Sequence, residues 1–116
     1  MTIQEKLELA RLLKMLQMEI HQTAVQKGWW DSEQRSEGEI YALLHSEVSE
    51  AFEGFRHGNP PDDKIPSYDA ISAELADVLI RVADYAEGFG YGVIDALFAK
   101  VEFNKTRPYR HGGKKA

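Results

Sequence analysis

The stretch His45-Ser46-Glu47-Val48-Ser49-Glu50-Ala51-Phe52-Glu53, with its echo Glu74-Leu75-Ala76-Asp77, decides how this chain is read. Each places two carboxylates three residues apart. Each sits inside an apolar pattern of helical period: Leu43, Leu44, Val48, Ala51, Phe52 and Phe55 around the first, Ile71, Leu75, Val78, Leu79 and Val82 around the second. Residues i and i+3 lie on one side of a helix, a turn apart. Glu47 with Glu50, and Glu74 with Asp77, therefore form two acidic faces. If the helices pack face to face, four carboxylates converge, and like charges so crowded raise each other's pKa. Hard divalent cations, Mg²⁺ above all, are held by oxygen ligands of this kind.

Outward from that core the chain reads as helices. Residues 2–26 carry one stripe of Ile3, Leu7, Ala10, Leu13 and Leu16 or Gln17, widened by Leu9, Leu12, Met15 and Ile20. A stripe that broad predicts contact on more than one side, another subunit included. Gly28 stops the helix and opens an aromatic loop at Trp29-Trp30-Asp31. Ser36-Glu37-Gly38-Glu39 has capping-box spacing, so a second helix starts there and runs to about His57. Gly58-Asn59-Pro60-Pro61-Asp62-Asp63 is a connecting loop. A third helix starts between Ser67 and Asp69 and runs to about Glu87. A fourth spans about Val93 to Lys105, with Val93, Leu97, Phe98 and Val101 inward and Pro108 ending it. With no convincing alternation for strands, the expectation is an all-α bundle of four to five helices. Residues 1–107 would form one domain and residues 108–116 a basic tail.

Composition narrows the function. The chain carries net charge −5, yet from Phe103 to Ala116 there are five Lys/Arg and no acid. An acidic body argues against general nucleic-acid affinity, while the basic tail is able to meet phosphate. With no cysteine, disulfides and thiolate zinc sites are excluded. Charged residues interleave the apolar ones near the N-terminus, so neither a signal peptide nor a membrane span is expected, and a cytoplasmic location follows as the default.

A Glu-x-x-Glu on a helix is commonly a solvated face. Solvated acids favour Lys or Arg at i+4, but Glu47, Glu50 and Glu74 have Ala51, Gly54 and Val78 there; only Asp77 has a cation, Arg81. Unpaired acids beside apolar residues are costly unless a cation offsets them. A di-iron bundle is disfavoured because no Glu is followed by His at i+3.

The runs Lys27-Gly28-Trp29-Trp30-Asp31, Leu43 to Ala51, Ala73 to Arg81, and Asn104-Lys105-Thr106-Arg107-Pro108-Tyr109-Arg110-His111-Gly112-Gly113-Lys114 resemble the MazG-like nucleotide pyrophosphohydrolases, over residues 20 to 114. These belong to the all-α NTP pyrophosphatase superfamily, whose signature is ExxE followed by ExxD. The resemblance implies an oligomeric bundle, a homodimer or homotetramer, with the active unit built from two subunits. It implies Mg²⁺-dependent cleavage of a nucleoside triphosphate, (d)NTP, to (d)NMP and pyrophosphate, as a nucleotide-pool cleaner, with Mn²⁺ as a possible substitute. Ser46 stands where the dimeric dUTPase branch carries another Glu, which sets the chain apart from a strict dUTPase.

On this reading Glu47, Glu50, Glu74 and Asp77 are the catalytic carboxylates and metal ligands, and Glu47 or Glu53 takes a proton from water. Lys100, Asn104 and Arg107 share a face of the fourth helix and would meet phosphate, with Arg110 beyond them. Trp30, ahead of Trp29 and His21, would contact the base. Glu53, Arg81 and Asp84 would support the ligands from behind. A different class of function fits the same residues: a non-catalytic helical module that binds metal or nucleotide. Neither reading requires nucleic acid or membrane as partner.

Overall fold

The computed structural model describes residues 1–31 and 36–109. Among them the architecture is four helices and no strand: α1 Ile3–Gln26, α2 Glu37–Arg56, α3 Ala70–Phe89 and α4 Val93–Lys105. The capping signals act where the sequence places them. Ser36 Oγ accepts from the Glu39 N–H at 3.4 Å, and Asp69 caps α3 by accepting from the Ser72 N–H. The two-way capping box belongs to α1 instead, where Thr2 and Glu5 exchange bonds of 2.7 and 3.0 Å.

The helix α3 is the axis of the fold, packed on α2 along one side and on α1 along another, while α4 leans on α1. The buried apolar set is small: Ile40, Ala51, Ala73 and Ala86. Among the described residues no large side chain is fully buried, and Leu97 and Val101 of α4, expected inward, are about half exposed. Among the described residues no helix is long and apolar enough to cross a membrane.

The α2–α3 loop is tied down at several points. Asn59 adopts a left-handed conformation (φ 54°) and its Oδ1 accepts from the Ile71 N–H at 2.8 Å. Pro60 O accepts from the Ala70 N–H, Asp62 N–H donates to Tyr68 O, and Pro61 bridges Asp69. These links hold the loop against the start of α3, beside the acidic faces.

Candidate metal centre

Packing α2 on α3 brings Glu47, Glu74 and Asp77 together, with one oxygen from each lying within 4.8 Å of the others. Glu47 and Glu74 are half-buried and Asp77 is exposed. Opposite ligands of a six-coordinate Mg²⁺ lie about 4.1 Å apart, at twice its usual oxygen distance, so small rotamer changes would close the trio on a cation. The donor set is all carboxylate oxygen, which suits Mg²⁺ or Mn²⁺ and not a thiolate- or imidazole-preferring metal. Burial, then the charges of Asp77, Glu47, Glu50 and Asp62, push the Glu74 carboxyl above its ordinary range. That repulsion is what a bound cation would relieve.

Glu50 stands outside the trio. It lines an adjoining groove of about 210 Å³ with Glu53, His57, Asp62, Asp63 and Glu74. Glu53 is engaged locally, 2.9 Å from Arg56 and 3.7 Å from His57. Arg81 is not the i+4 partner of Asp77 that helix spacing suggests. It crosses to α2, where its Nε donates to Glu47 Oε1 at 2.8 Å.

On the other side of the trio lies a cleft of about 330 Å³, walled by Glu47, Asp77 and Arg81 and rimmed by Lys27, Lys64 and Trp29. The turn that delivers Trp29 has a definite cause. Lys27 caps α1, Gly28 takes φ 87°, Gly28 N–H donates to Val25 O and Trp29 N–H to Ala24 O. This is a Schellman ending, and a side chain at Gly28 would strain it. The two indoles consequently part. Trp29 is 59% exposed and borders the cleft.

Trp30 turns under the loop. Its Nε1–H donates to Asp84 at 2.9 Å, and its ring rests against Phe89 and the Gly88 backbone. His21 Nδ1 lies 2.8 Å from Asp84 Oδ1 and meets Trp30 edge-on at 4.9 Å. Trp30 and His21, both expected at the base, bond to buried Asp84 and do not line the cleft, whereas Trp29 borders it. Asp84 sits beneath the turn, bonded to Trp30 and His21, and Arg81 reaches Glu47.

Lys100, Asn104 and Arg107 are exposed on α4 and do not line the cleft of their own chain. The Arg107 guanidinium lies over the Phe103 ring at 5.5 Å. Arg110 and the rest of the tail from residue 110 on lie outside the described residues. The residues that sequence reasoning passed over are Lys27 and Lys64. Lys27 belongs to the quoted Lys-Gly-Trp-Trp run and carried a readable signal; Lys64, in a loop, carried none. No family model, curated protein or solved structure matches this chain.

Proposed function

We propose that the chain is a Mg²⁺-dependent nucleoside triphosphate pyrophosphohydrolase that releases a monophosphate and pyrophosphate, working as a homo-oligomer. The observation that carries this reading is the convergence of Glu47, Glu74 and Asp77 within 4.8 Å, with Glu47 and Asp77 on the wall of a cleft that also offers an exposed indole. Those three carboxylates would hold Mg²⁺, which supplies charge to offset phosphate oxygens and to acidify a water. The chain's own residues do the rest. Glu50, one turn from Glu47 and outside the trio, would take the proton of the attacking water. Trp29 offers a face for the base, a contact tolerant of base identity. Asp84, through Trp30 and His21, keeps the turn that presents Trp29 in place. Arg81 holds Glu47 toward the trio.

The oligomer is supported by apolar side chains that one chain leaves uncovered, Leu79 (71% exposed) and Phe55 (66%) among them. It is also a route by which Lys100, Asn104 and Arg107 meet a triphosphate held by another copy.

The test is a panel of canonical and modified triphosphates with Mg²⁺, products separated by ion exchange. Monophosphate plus pyrophosphate is expected, with Glu47→Gln, Glu74→Gln and Asp77→Asn each slower by about 100-fold or more at unchanged helical content. A diphosphate with orthophosphate, or variants as active as the parent, defeats the reading. The second outcome leaves a non-catalytic binding module.

A further inference from the structure

Lys27 and Lys64 reach the same cleft from opposite elements, the end of α1 and the α2–α3 loop. Among the described residues neither side chain forms an ion pair or hydrogen bond, although the wall between them is acidic. The loop sorts its charges by side. Asp62 and Asp63 line the acidic groove with Glu50 and Glu74, whereas Lys64 lines the cleft. Asp62 forms no ion pair with the Lys64 side chain; its Oδ2 accepts instead from the Lys64 and Ile65 N–H groups at 2.9 and 3.0 Å. Those bonds, with the ties from Asn59 and Pro60 to α3, fix the backbone from which Lys64 extends. The Schellman turn does the same for Lys27.

We infer that Lys27 and Lys64 are a two-sided clamp for the polyphosphate tail of the substrate, supplied by the same chain as the carboxylates. The inference rests on the triphosphate reading of the site. A triphosphate brings about four negative charges to a wall that is itself negative, so cations beyond the metal have to meet it. Lysine suits that task as a mobile point charge with three donors on a flexible stem. Two of them on anchored backbone confine the tail between Trp29 and the trio, and only side-chain freedom is lost on binding. The acidic groove on the far side of Glu74 repels the same tail, which gives the site a direction: phosphate enters by the lysines.

The experiment is calorimetric titration of inorganic tripolyphosphate with Mg²⁺ into the full chain, alongside triphosphate kinetics. Lys27→Gln and Lys64→Gln are each expected to weaken tripolyphosphate binding and raise KM by about 10- to 100-fold. Lys64→Arg keeps the charge and is expected to stay near the parent. In all three the Mg²⁺-induced rise in melting temperature persists, because the carboxylates are intact. If the parent hydrolyses triphosphates and both glutamine variants bind and turn over like it, the clamp is wrong while the hydrolase stands. If the parent neither binds tripolyphosphate nor hydrolyses triphosphates, both fall.

Discussion

Arg81 Nε on α3 donates to Glu47 Oε1 on α2 at 2.8 Å, with the side chains only 27% and 14% exposed. The pair does two things. It joins the central helix to its neighbour, and it offsets one of the three carboxylates that crowd the site. Arg81→Gln is expected to cost the metal-free protein about 1–3 kcal/mol, the range for losing a shielded hydrogen bond to a charged group. At this chain length that is roughly 4 °C of melting temperature per kcal/mol. Saturating Mg²⁺ is expected to stabilise Arg81→Gln more than the parent, because the cation takes over the charge that Arg81 was offsetting. Equal metal shifts in the two proteins would show that Arg81 and the metal do not share Glu47.

The pH profile of stability has two limbs with different owners. Glu74 titrates above its ordinary 4.5, chiefly through burial and then through Asp77 and Glu47. A carboxyl raised in the folded state adds stability below its unfolded value and loses it as pH climbs through the folded one. Asp69 and Glu102 run the other way. Both are pulled down to about 2, Asp69 by hydrogen bonds from Ser72 and Glu102 by Lys6 and Lys105. Their contribution is present above their ordinary values and is lost as pH falls toward 2. Melting temperature in chelator is therefore expected to peak in mild acid and decline toward neutrality. Glu74→Gln or saturating Mg²⁺ removes the upper decline and leaves the acid limb. A decline that survives in Glu74→Gln would mean another group causes it.

Helix boundaries and the acidic pairs were legible because their causes are local. Ser36, Asp69 and Gly28 act within four residues of themselves, and a spacing of three puts two carboxylates on one side of a helix wherever it lies. Partners across helices were not legible. The i+4 rule sees only its own helix, so it gave Arg81 to Asp77, while packing gave it to Glu47. The choice between Trp29 and Trp30 turns on Gly28's positive φ and on a bare patch at Gly88, which no spacing reveals. Lys64 stands on a loop whose Asn59 Oδ1 and Pro60 O accept from the Ile71 and Ala70 N–H groups, bonds that exist only once the start of α3 has met the loop. The α4 stripe of Lys100, Asn104 and Arg107 is real as a face of one helix, but a single chain does not carry it to the cleft.

Gly88 is the position where a single methyl group tests the brace beneath the site. A Cβ there would fall 2.2 Å from Trp30 Cη2 and 2.6 Å from Cζ2. The indole cannot swing clear cheaply, since its Nε1–H is held by Asp84 and its ring by Phe89 and His21. Overpacking of this kind costs about 1–3 kcal/mol, set against about 1 kcal/mol gained from replacing glycine in a helix. Gly88→Ala is expected to lose stability on balance, shift tryptophan emission to longer wavelength and loosen triphosphate binding through the displaced turn. Gly38→Ala is the control. Its nearest neighbour would be Ser36 Oγ at an ordinary 3.6 Å, so only the helical gain remains. Unchanged emission and stability in Gly88→Ala would mean that Trp30 does not depend on that patch.

The apolar surface on α2 and α3 is the ground for expecting a second copy. Val48, Phe52, Phe55, Leu75 and Leu79 are between 48% and 71% exposed, and the Phe52 and Phe55 rings stack on each other at 6.2 Å. Covering a Leu, Val or Phe completely stabilises by about 1.5–3 kcal/mol, so half-exposed ones offer about 1 kcal/mol each. Five from one chain barely match the 4–15 kcal/mol lost in association. In a symmetric pair each patch also covers its twin, which doubles the sum to about 10 kcal/mol, well into that range. Sedimentation at micromolar concentration is expected to show a dimer or tetramer without monomer, and the melting temperature to rise with protein concentration. Leu79→Lys places a charge where the apolar face is most open, and is expected to release monomer of lower stability and little activity. A parent chain that sediments as monomer and still hydrolyses triphosphates would remove the second copy from the mechanism and leave Lys100, Asn104 and Arg107 without a part in it.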